Sequence, residues 1–410
     1  MTLLVQKFGG TSVGNVERIQ AIAKRIASTK EKCNELVIVV SAMGNSTNEL
    51  TRLALEINNS PPPREMDMLL STGEQVTIAL LSMALIKLGI PAQSMTGSQV
   101  GIITESAHGR ARILEIRTEK IQELLNEGKV VVIAGFQGTS LGSGKTAEIT
   151  TLGRGGSDAS AIMCAKFFKA EKCIIYTDVD GVYTTDPNKL KEAKKIKIIS
   201  YEEMLEMASL GAKVMQPTSI QDARLNRIDI EVKSSFIKRE GTKITKRKNI
   251  LGNKVIRGIS FTKNDAKITL VGVKDKPGIA ASIFEPLSKN AINVDMVVQN
   301  ISADGKETDL TFTIKSDELL KTQRLISKNR KISFKELIVH KDVSKVSIIG
   351  VGMIATPGVT YRMFQALAKH NINILVISTS EIKISVLIKK KNTAKAISAL
   401  HKEFELDKQK

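Results

Sequence analysis

The first 235 residues alternate two apolar patterns. Short, nearly continuous apolar runs rich in β-branched residues stand at 3–6, 36–40, 130–134 and 173–176, and each predicts a strand buried on both faces. Between the first two, Ile19, Ile22, Ala23 and Ile26 recur at i, i+3, i+4 and i+7, the spacing of one helical face. Buried strands joined by helices predict an α/β unit, a mostly parallel sheet sandwiched by helices, whose ligands sit at the carboxyl ends of the strands. The glycine-rich and polar segments fall at those strand ends. Residues 235–253 are basic without an apolar period and read as a linker.

An internal repeat organises the remainder. Gly272, Pro277, Gly278, Phe284, Leu287, Lys289, Ile292 and Asn293 recur, without a gap and at a constant offset of 80, as Gly352, Pro357, Gly358, Phe364, Leu367, Lys369, Ile372 and Asn373. Each copy reads as a strand (268–273; 346–351), a Pro-Gly turn, an amphipathic helix, and Ile-Asn opening a second strand. In the first helix Ile279, Ile283, Phe284 and Leu287 share one face. The expected division is therefore an α/β domain at 1–235, a linker and first strand at 236–259, and two small α+β modules at 260–338 and 339–410.

Composition narrows the class. The chain is 42% hydrophobic and 25% charged, as soluble globular proteins are. Its longest apolar stretch, 76–90, is interrupted by Lys87 and falls short of the ~20 residues that cross a bilayer. Lys7 and Gly9-Gly10 stand where a secretory signal needs its apolar core, so a soluble, cytoplasmic protein with no membrane partner is expected. Cys33, Cys164 and Cys173 form no CxxC pair, and His108, His340, His370 and His401 are scattered, so reduced thiols and no protein-built metal centre are expected. A net charge of +19 raises nucleic-acid binding as a reading, but 4% aromatics and no tryptophan leave no stacking platform. A basic enzyme that handles anionic substrates fits the charge, and no nucleic-acid partner is expected.

Three segments can carry chemistry. Lys7-Phe8-Gly9-Gly10-Thr11-Ser12 follows a strand and opens a helix, an arrangement that brings backbone amides and a cation to an anion. A tight turn with an exposed lysine explains the same residues. Leu152-Gly153-Arg154-Gly155-Gly156-Ser157-Asp158 sets a guanidinium among glycines where packing gains it little. Ser157 or Asp158 can alternatively be a plain helix cap. Thr177, Asp178 and Tyr183, after a buried strand, fit a nucleotide ribose and base pocket, although Asp180-Gly181 is also an ordinary turn. Gly142-Ser143-Gly144-Lys145-Thr146 imitates the end of a P-loop, but Thr139 stands where that loop requires glycine, and the stretch reads as a surface hairpin loop.

Together, Lys7-Phe8-Gly9-Gly10-Thr11, Ser41-Ala42-Met43-Gly44, Thr72-Gly73-Glu74, residues 153–158, residues 177–187 and Gly211-Ala212-Lys213-Val214 resemble the aspartate kinases, in order and in approximate spacing. The repeats resemble the paired ACT regulatory domains of those enzymes. The resemblance implies an amino-acid-kinase fold followed by two ferredoxin-like ACT modules. It also implies transfer of the ATP γ-phosphoryl group to the β-carboxylate of L-aspartate, with Mg2+ carried by ATP.

By that resemblance, Lys7 and Lys213 flank the phosphoryl group and Asp158 holds those cations. ATP is contacted by Lys7, Phe8, Gly9, Gly10, Thr177, Asp178, Tyr183, Asp186, Lys213 and Val214, and aspartate by Ser41, Thr47, Glu74, Arg154, Gly155, Gly156 and Ser157. The family often has arginine after Asp186-Pro187, where this chain has Asn188, with Lys189 beside it. For effectors, helix-start amides can hold a carboxylate and a paired asparagine can donate and accept. The expected set is Asp275, Gly278, Ala280, Asn293, Asp295 and Gln299 in the first copy and Thr360, Asn373, Ile374 and Glu381 in the second. The more acidic first copy suits lysine, the more apolar second threonine, and a homodimer through the ACT modules is expected. The competing readings are another amino-acid kinase, acting on glutamate or a uridylate, and a ligand sensor with an inactive kinase half.

Overall fold

The apolar runs form strands of one sheet. β1 (Leu3–Phe8), α1 (Val16–Lys30) and β2 (Glu35–Val40) open the chain. Asn15 caps α1 by accepting from the Arg18 amide, and the predicted stripe of Ile19, Ile22, Ala23 and Ile26 is buried. α2 (Ser46–Ile57), α3 (Pro63–Leu70) and α4 (Thr72–Lys87) precede β3 (Ala92–Met95). Then come α5 (Gly97–Val100), β4 (Ile102–Thr104), β5 (Ile113–Ile116), α6 (Glu119–Asn126), β6 (Val130–Ala134), β7 (Gln137–Ser140) and β8 (Glu148–Thr151). α7 (Gly156–Phe167), β9 (Lys172–Thr177), β10 (Ile198–Ser200), α8 (Tyr201–Ser209), α9 (Pro217–Asn226), β11 (Ile230–Ser234) and β12 (Thr242–Thr245) complete this part.

These coordinates come from a computed structural model that describes residues 3–141, 147–212, 214–246, 254–302, 305–329 and 331–408. Two units are distinguished: Met1–Val182 with Lys195–Ser209 and Lys213–Gly252, and Tyr183–Lys194 with Leu210–Ala212 and Asn253–Lys410. In the first, an eight-stranded sheet runs β10-β12-β11-β9-β1-β2-β6-β3, parallel except where β12 meets β11. α1 and α4 cover one face through Ile22, Ile26, Leu81 and Leu85, and α7 packs on β1, β2 and β9 from the other. Strands sandwiched this way must be apolar on both sides, which is why their sequence shows no alternation.

Two expectations change here. The supposed linker contributes β12, because Thr242 and Ile244 are buried against β11 despite the surrounding lysines. Gly138 and Thr139 lie in β7, a buried strand paired antiparallel with β8, and residues 142–146, expected as a surface hairpin loop, lie outside the described residues. The apolar stretch is also longer than its sequence run: Pro63–Lys87, 25 residues, has the length and composition of a membrane span. It is two helices meeting at Ser71, and Gly73, Glu74, Thr77, Ile78, Leu81, Ser82 and Leu85 of the second are buried.

The second unit carries a six-stranded antiparallel sheet, built from β13 (Gly258–Lys274), β14 (Val297–Ile301), β15 (Glu307–Lys315), β16 (Glu336–Ile349), β17 (Ile374–Thr379) and β18 (Lys383–Lys389) in the order β14-β15-β13-β16-β18-β17. α10 (Ile279–Lys289) and α11 (Leu319–Ser327) cover the first half, α12 (Val359–Lys369) and α13 (Thr393–Glu403) the second. The predicted face of α10 is realised, with Ile279, Ile283 and Leu287 buried and Phe284 edge-on to Phe312. Near the expected boundaries at 259/260 and 338/339 the strands run on from one core to the other. Ile256 and Ile259 join the second core, while Leu337 and Val339 pack on the first. β13 and β16 are long enough to serve both, which a repeat aligned copy to copy does not reveal.

Candidate functional site

The carboxyl edge of the large sheet gathers the polar segments. β1 is parallel to β2 and β9, with Phe8 opposite Val40 and Tyr176, so the loops beginning at Gly9, Ser41 and Thr177 leave together. The Gly9 amide donates to the Tyr176 carbonyl at 3.3 Å, and the Gly44 amide to that of Gly10 at 3.0 Å. A Cβ on Gly10 would lie 2.8 Å from the Ala42 carbonyl, so only glycine lets these loops meet. The Phe8 ring is fully buried and stacked on Tyr176 at 4.7 Å, which leaves its backbone atoms for a ligand.

Lys7 does not fit the alternative of an exposed turn lysine: it is 9% exposed, and its Nζ lies 2.6 Å from Asp158 Oδ1. Asp158 and Ser157 are not caps either: α7 begins after Gly155, which has φ +77°, and both side chains sit buried in the first turn. Arg154 just before it is exposed and makes no ion pair among the described residues.

Glu74 occupies the first turn of α4, 3% exposed. Its Oε1 accepts from the Ala42 amide at 3.0 Å, while Oε2 is buried without a hydrogen-bond partner among the described residues. Burial pushes its acid up to about 7, against the opposing pull of the Ala42 amide. Ser41 and Thr47 are half-buried, Thr47 in the first turn of α2. The Gly155 carbonyl accepts from Ser219 Oγ at 3.2 Å, and Gly156 and Ser157 are buried behind it.

At the end of β9 the Thr177 hydroxyl donates to Asp178, whose carboxylate is exposed. Val214 is half-buried, and Lys213 lies outside the described residues. Tyr183 and Asp186 belong to the second unit. There Asp186 Oδ1 accepts from the Asn188 amide at 2.9 Å, and Asn188 and Lys189 are exposed.

The second unit has a cavity of about 380 Å3 lined by Asp275, Lys276, Pro277, Gly278, Ile279, Ala280 and Gln299. Gly278, at φ +85°, starts α10 without a side-chain cap, so the helix-start amides face outward. Asn293 and Asp295 do not line it: Asp295 is ion-paired with the buried Lys345 of β16. Thr360, Asn373 and Glu381 of the second copy are exposed and Ile374 is half-buried. No motif marks Asp67 or His108, which the fold joins beside the Arg154 turn.

The amino acid kinase family matches residues 2–234, and the ACT domain matches 268–329 and 346–404. Fold and site thus define an ATP-dependent kinase of the amino acid kinase family joined to tandem ACT domains. The chain is 50% identical over 409 residues to the aspartate kinase of Pseudomonas putida, covering 99% of this chain and 98% of that protein. It is 49% identical over 407 residues to the aspartokinase of Bacillus sp. MGA3, with the same shares covered. Escherichia coli aspartokinase III, solved in complex with aspartate and ADP, is 26% identical with a TM-score of 0.79, over 98% of this chain and 99% of that one. The chain belongs to the aspartate kinases.

Because the Lys7–Asp158 pair is buried, Lys7→Ala leaves an uncompensated carboxylate. It is expected to lower the unfolding free energy by about 3–5 kcal/mol in a urea titration, and Lys7→Ala/Asp158→Asn to recover part of that loss. An unchanged midpoint in the single variant contradicts the burial of this pair.

Proposed function

We propose that this kinase transfers the γ-phosphoryl group of ATP to the β-carboxylate of L-aspartate, giving 4-phospho-L-aspartate, the opening step towards lysine, threonine and methionine. The observation that carries the reading is the buried Lys7–Asp158 pair beneath the glycine loop of β1. A carboxylate nucleophile is already ionised at neutral pH, so no general base is required. The obstacle is charge: an anion must approach a polyanion, and the transferring group spreads negative charge over its oxygens. Lys7, oriented by Asp158, supplies a fixed cation at that centre, and Lys213 is assigned to it on the family resemblance. Mg2+ would add charge neutralisation when bound and, as the family resemblance implies, would be carried by the ATP phosphates.

Arg154, exposed and unpaired among the described residues, offers its planar fork to the α-carboxylate of aspartate. Glu74 offers the α-ammonium a buried oxygen that has no hydrogen-bond partner among the described residues. Ser41, Thr47, Gly155, Gly156 and Ser157 complete the substrate contacts. Gly9, Gly10, Thr177 and Asp178 bind the nucleotide, and the backbone of Phe8, with Tyr183, Asp186 and Val214, is assigned to it on the family resemblance. Lys189 takes the part of the arginine that Asn188 replaces.

Lysine is the proposed effector of the Asp275 cavity, and threonine that of the second copy near Gly358, Thr360, Asn373, Ile374 and Glu381. Escherichia coli aspartokinase III has also been solved in complex with lysine and aspartate, which supports the first assignment. The exposed apolar residues of the edge strands, Val297 and Ile301 of β14 and Ile377 of β17, support a homodimer through the ACT modules. A cytoplasmic location is proposed with it.

A coupled assay with ATP and aspartate is the direct test of the reaction, and no aspartate-dependent ADP release at millimolar substrate refutes it. Arg154→Lys is expected to raise the aspartate KM at least tenfold while leaving the ATP KM within twofold, because a lysine cannot reproduce the fork. Glu74 must be ionised to meet the ammonium, so kcat/KM for aspartate is expected to rise with pH through about 7, and Glu74→Gln to abolish that limb. The folded protein holds the Glu74 proton more tightly than the unfolded chain. Its contribution to stability is thus present below pH 4.5 and lost as pH rises to about 7, a decline that denaturation without aspartate should register. Asp275→Ala is expected to relieve lysine inhibition at unchanged uninhibited turnover, read from inhibition curves.

A further inference from the structure

Asp67 is fully buried on α3 and has no part in the chemistry above. Its Oδ1 and Oδ2 accept from the Gly109 amide at 3.0 and 3.1 Å, Oδ1 accepts from the Thr151 hydroxyl, and Oδ2 lies 2.8 Å from His108 Nδ1. Glu148 of β8 stands 3.4 Å from the other ring nitrogen of His108. One carboxylate thus ties α3 to the loop ahead of β5 and to the last residue of β8.

Both ends of this tie reach the Arg154 turn. Thr151 lies three residues before Arg154, and its carbonyl accepts from the Ala111 amide at 2.9 Å. Gly109 is seated against Gly153: a Cβ on Gly153, whose φ is +74°, would lie 2.9 Å from the Gly109 carbonyl. Beyond Arg154, Gly155 is held by Ser219 and by Gln216, whose Cγ would lie 2.5 Å from a Cβ there. Arg154 is the exposed residue between two seated glycines.

We propose that Asp67 is a positioning residue for Arg154, clamping Gly109 and Thr151 so that the Arg154 turn presents its guanidinium in one orientation. The proposal rests on the reading that Arg154 takes the α-carboxylate of the amino-acid substrate. A bidentate fork needs both direction and distance, and misplacement by about 1 Å can cost up to 10²-fold. The converging donors require an acceptor on both oxygens. Asparagine supplies only one and turns an NH2 group towards the remaining donors.

Asp67→Asn is expected to raise the aspartate KM about tenfold with the ATP KM changed less than twofold, and Thr151→Val to raise it about threefold in the same sense. A merely structural role would lower the melting temperature and the active fraction, hence kcat, without separating the two KM values. Arg154→Lys is assayed alongside. If Arg154→Lys raises the aspartate KM while Asp67→Asn and Thr151→Val leave it within twofold, the positioning role is overturned and the recognition reading stands. If none of the three shows an aspartate-specific change, both are overturned, and a parallel rise in both KM values for Asp67→Asn overturns the positioning role. Should Asp67→Asn fail to fold by circular dichroism, Thr151→Val decides on the same criterion.

Discussion

A lysine cation held under a glycine loop by a buried carboxylate is the interaction around which the catalytic unit is arranged. β1 lies between β2 and β9 in the sheet, and Lys7 leaves it one residue before the carboxyl edge. Asp158 approaches from α7, the helix that packs on β1, β2 and β9. Desolvating such a pair costs about what the attraction returns, so an apolar pair would stabilise the fold as well. What an apolar pair cannot provide is a cation fixed before the substrate arrives, which anion-to-anion phosphoryl transfer needs.

The proposed amino-acid side of the site uses opposite burial for opposite charges. Glu74 is nearly inaccessible and keeps an oxygen without a partner among the described residues, and its burial raises the energy of its ionised state. Arg154 is left in solvent, where its charge costs little, and its orientation is supplied by the backbone on either side. The two devices are complementary: one stores electrostatic potential, and the other supplies geometry.

The regulatory unit has a related economy. β13 and β16 run through both helix-covered cores, so the two modules share strands rather than merely adjoin. A packed sheet of this kind shifts as a body more readily than it deforms locally. Effectors of the kind proposed, bound in one module, would therefore act on a frame common to both, and regulation would require two states of that frame with different effector affinity.

Much of this was legible in the chain. The strands of β1, β2, β6 and β9 and the face of α1 follow from apolar spacing, because a two-sided burial leaves no polar alternation to misread. The repeat was legible because its two copies differ by a constant offset. The glycine-rich segments offered Lys7, Arg154 and Asp158 as candidates, because an arginine among glycines gains little from packing, and the resemblance to the aspartate kinases added Glu74. Tertiary structure alone decided that Lys7 is buried, that Phe8 is core, that Asp295 is engaged by Lys345, and that an unremarkable Asp67 sits beneath the Arg154 turn. Each of these depends on residues distant in the chain meeting in space. Local pattern reports which face of an element is apolar, but the partner of a buried charge is chosen only when two elements pack.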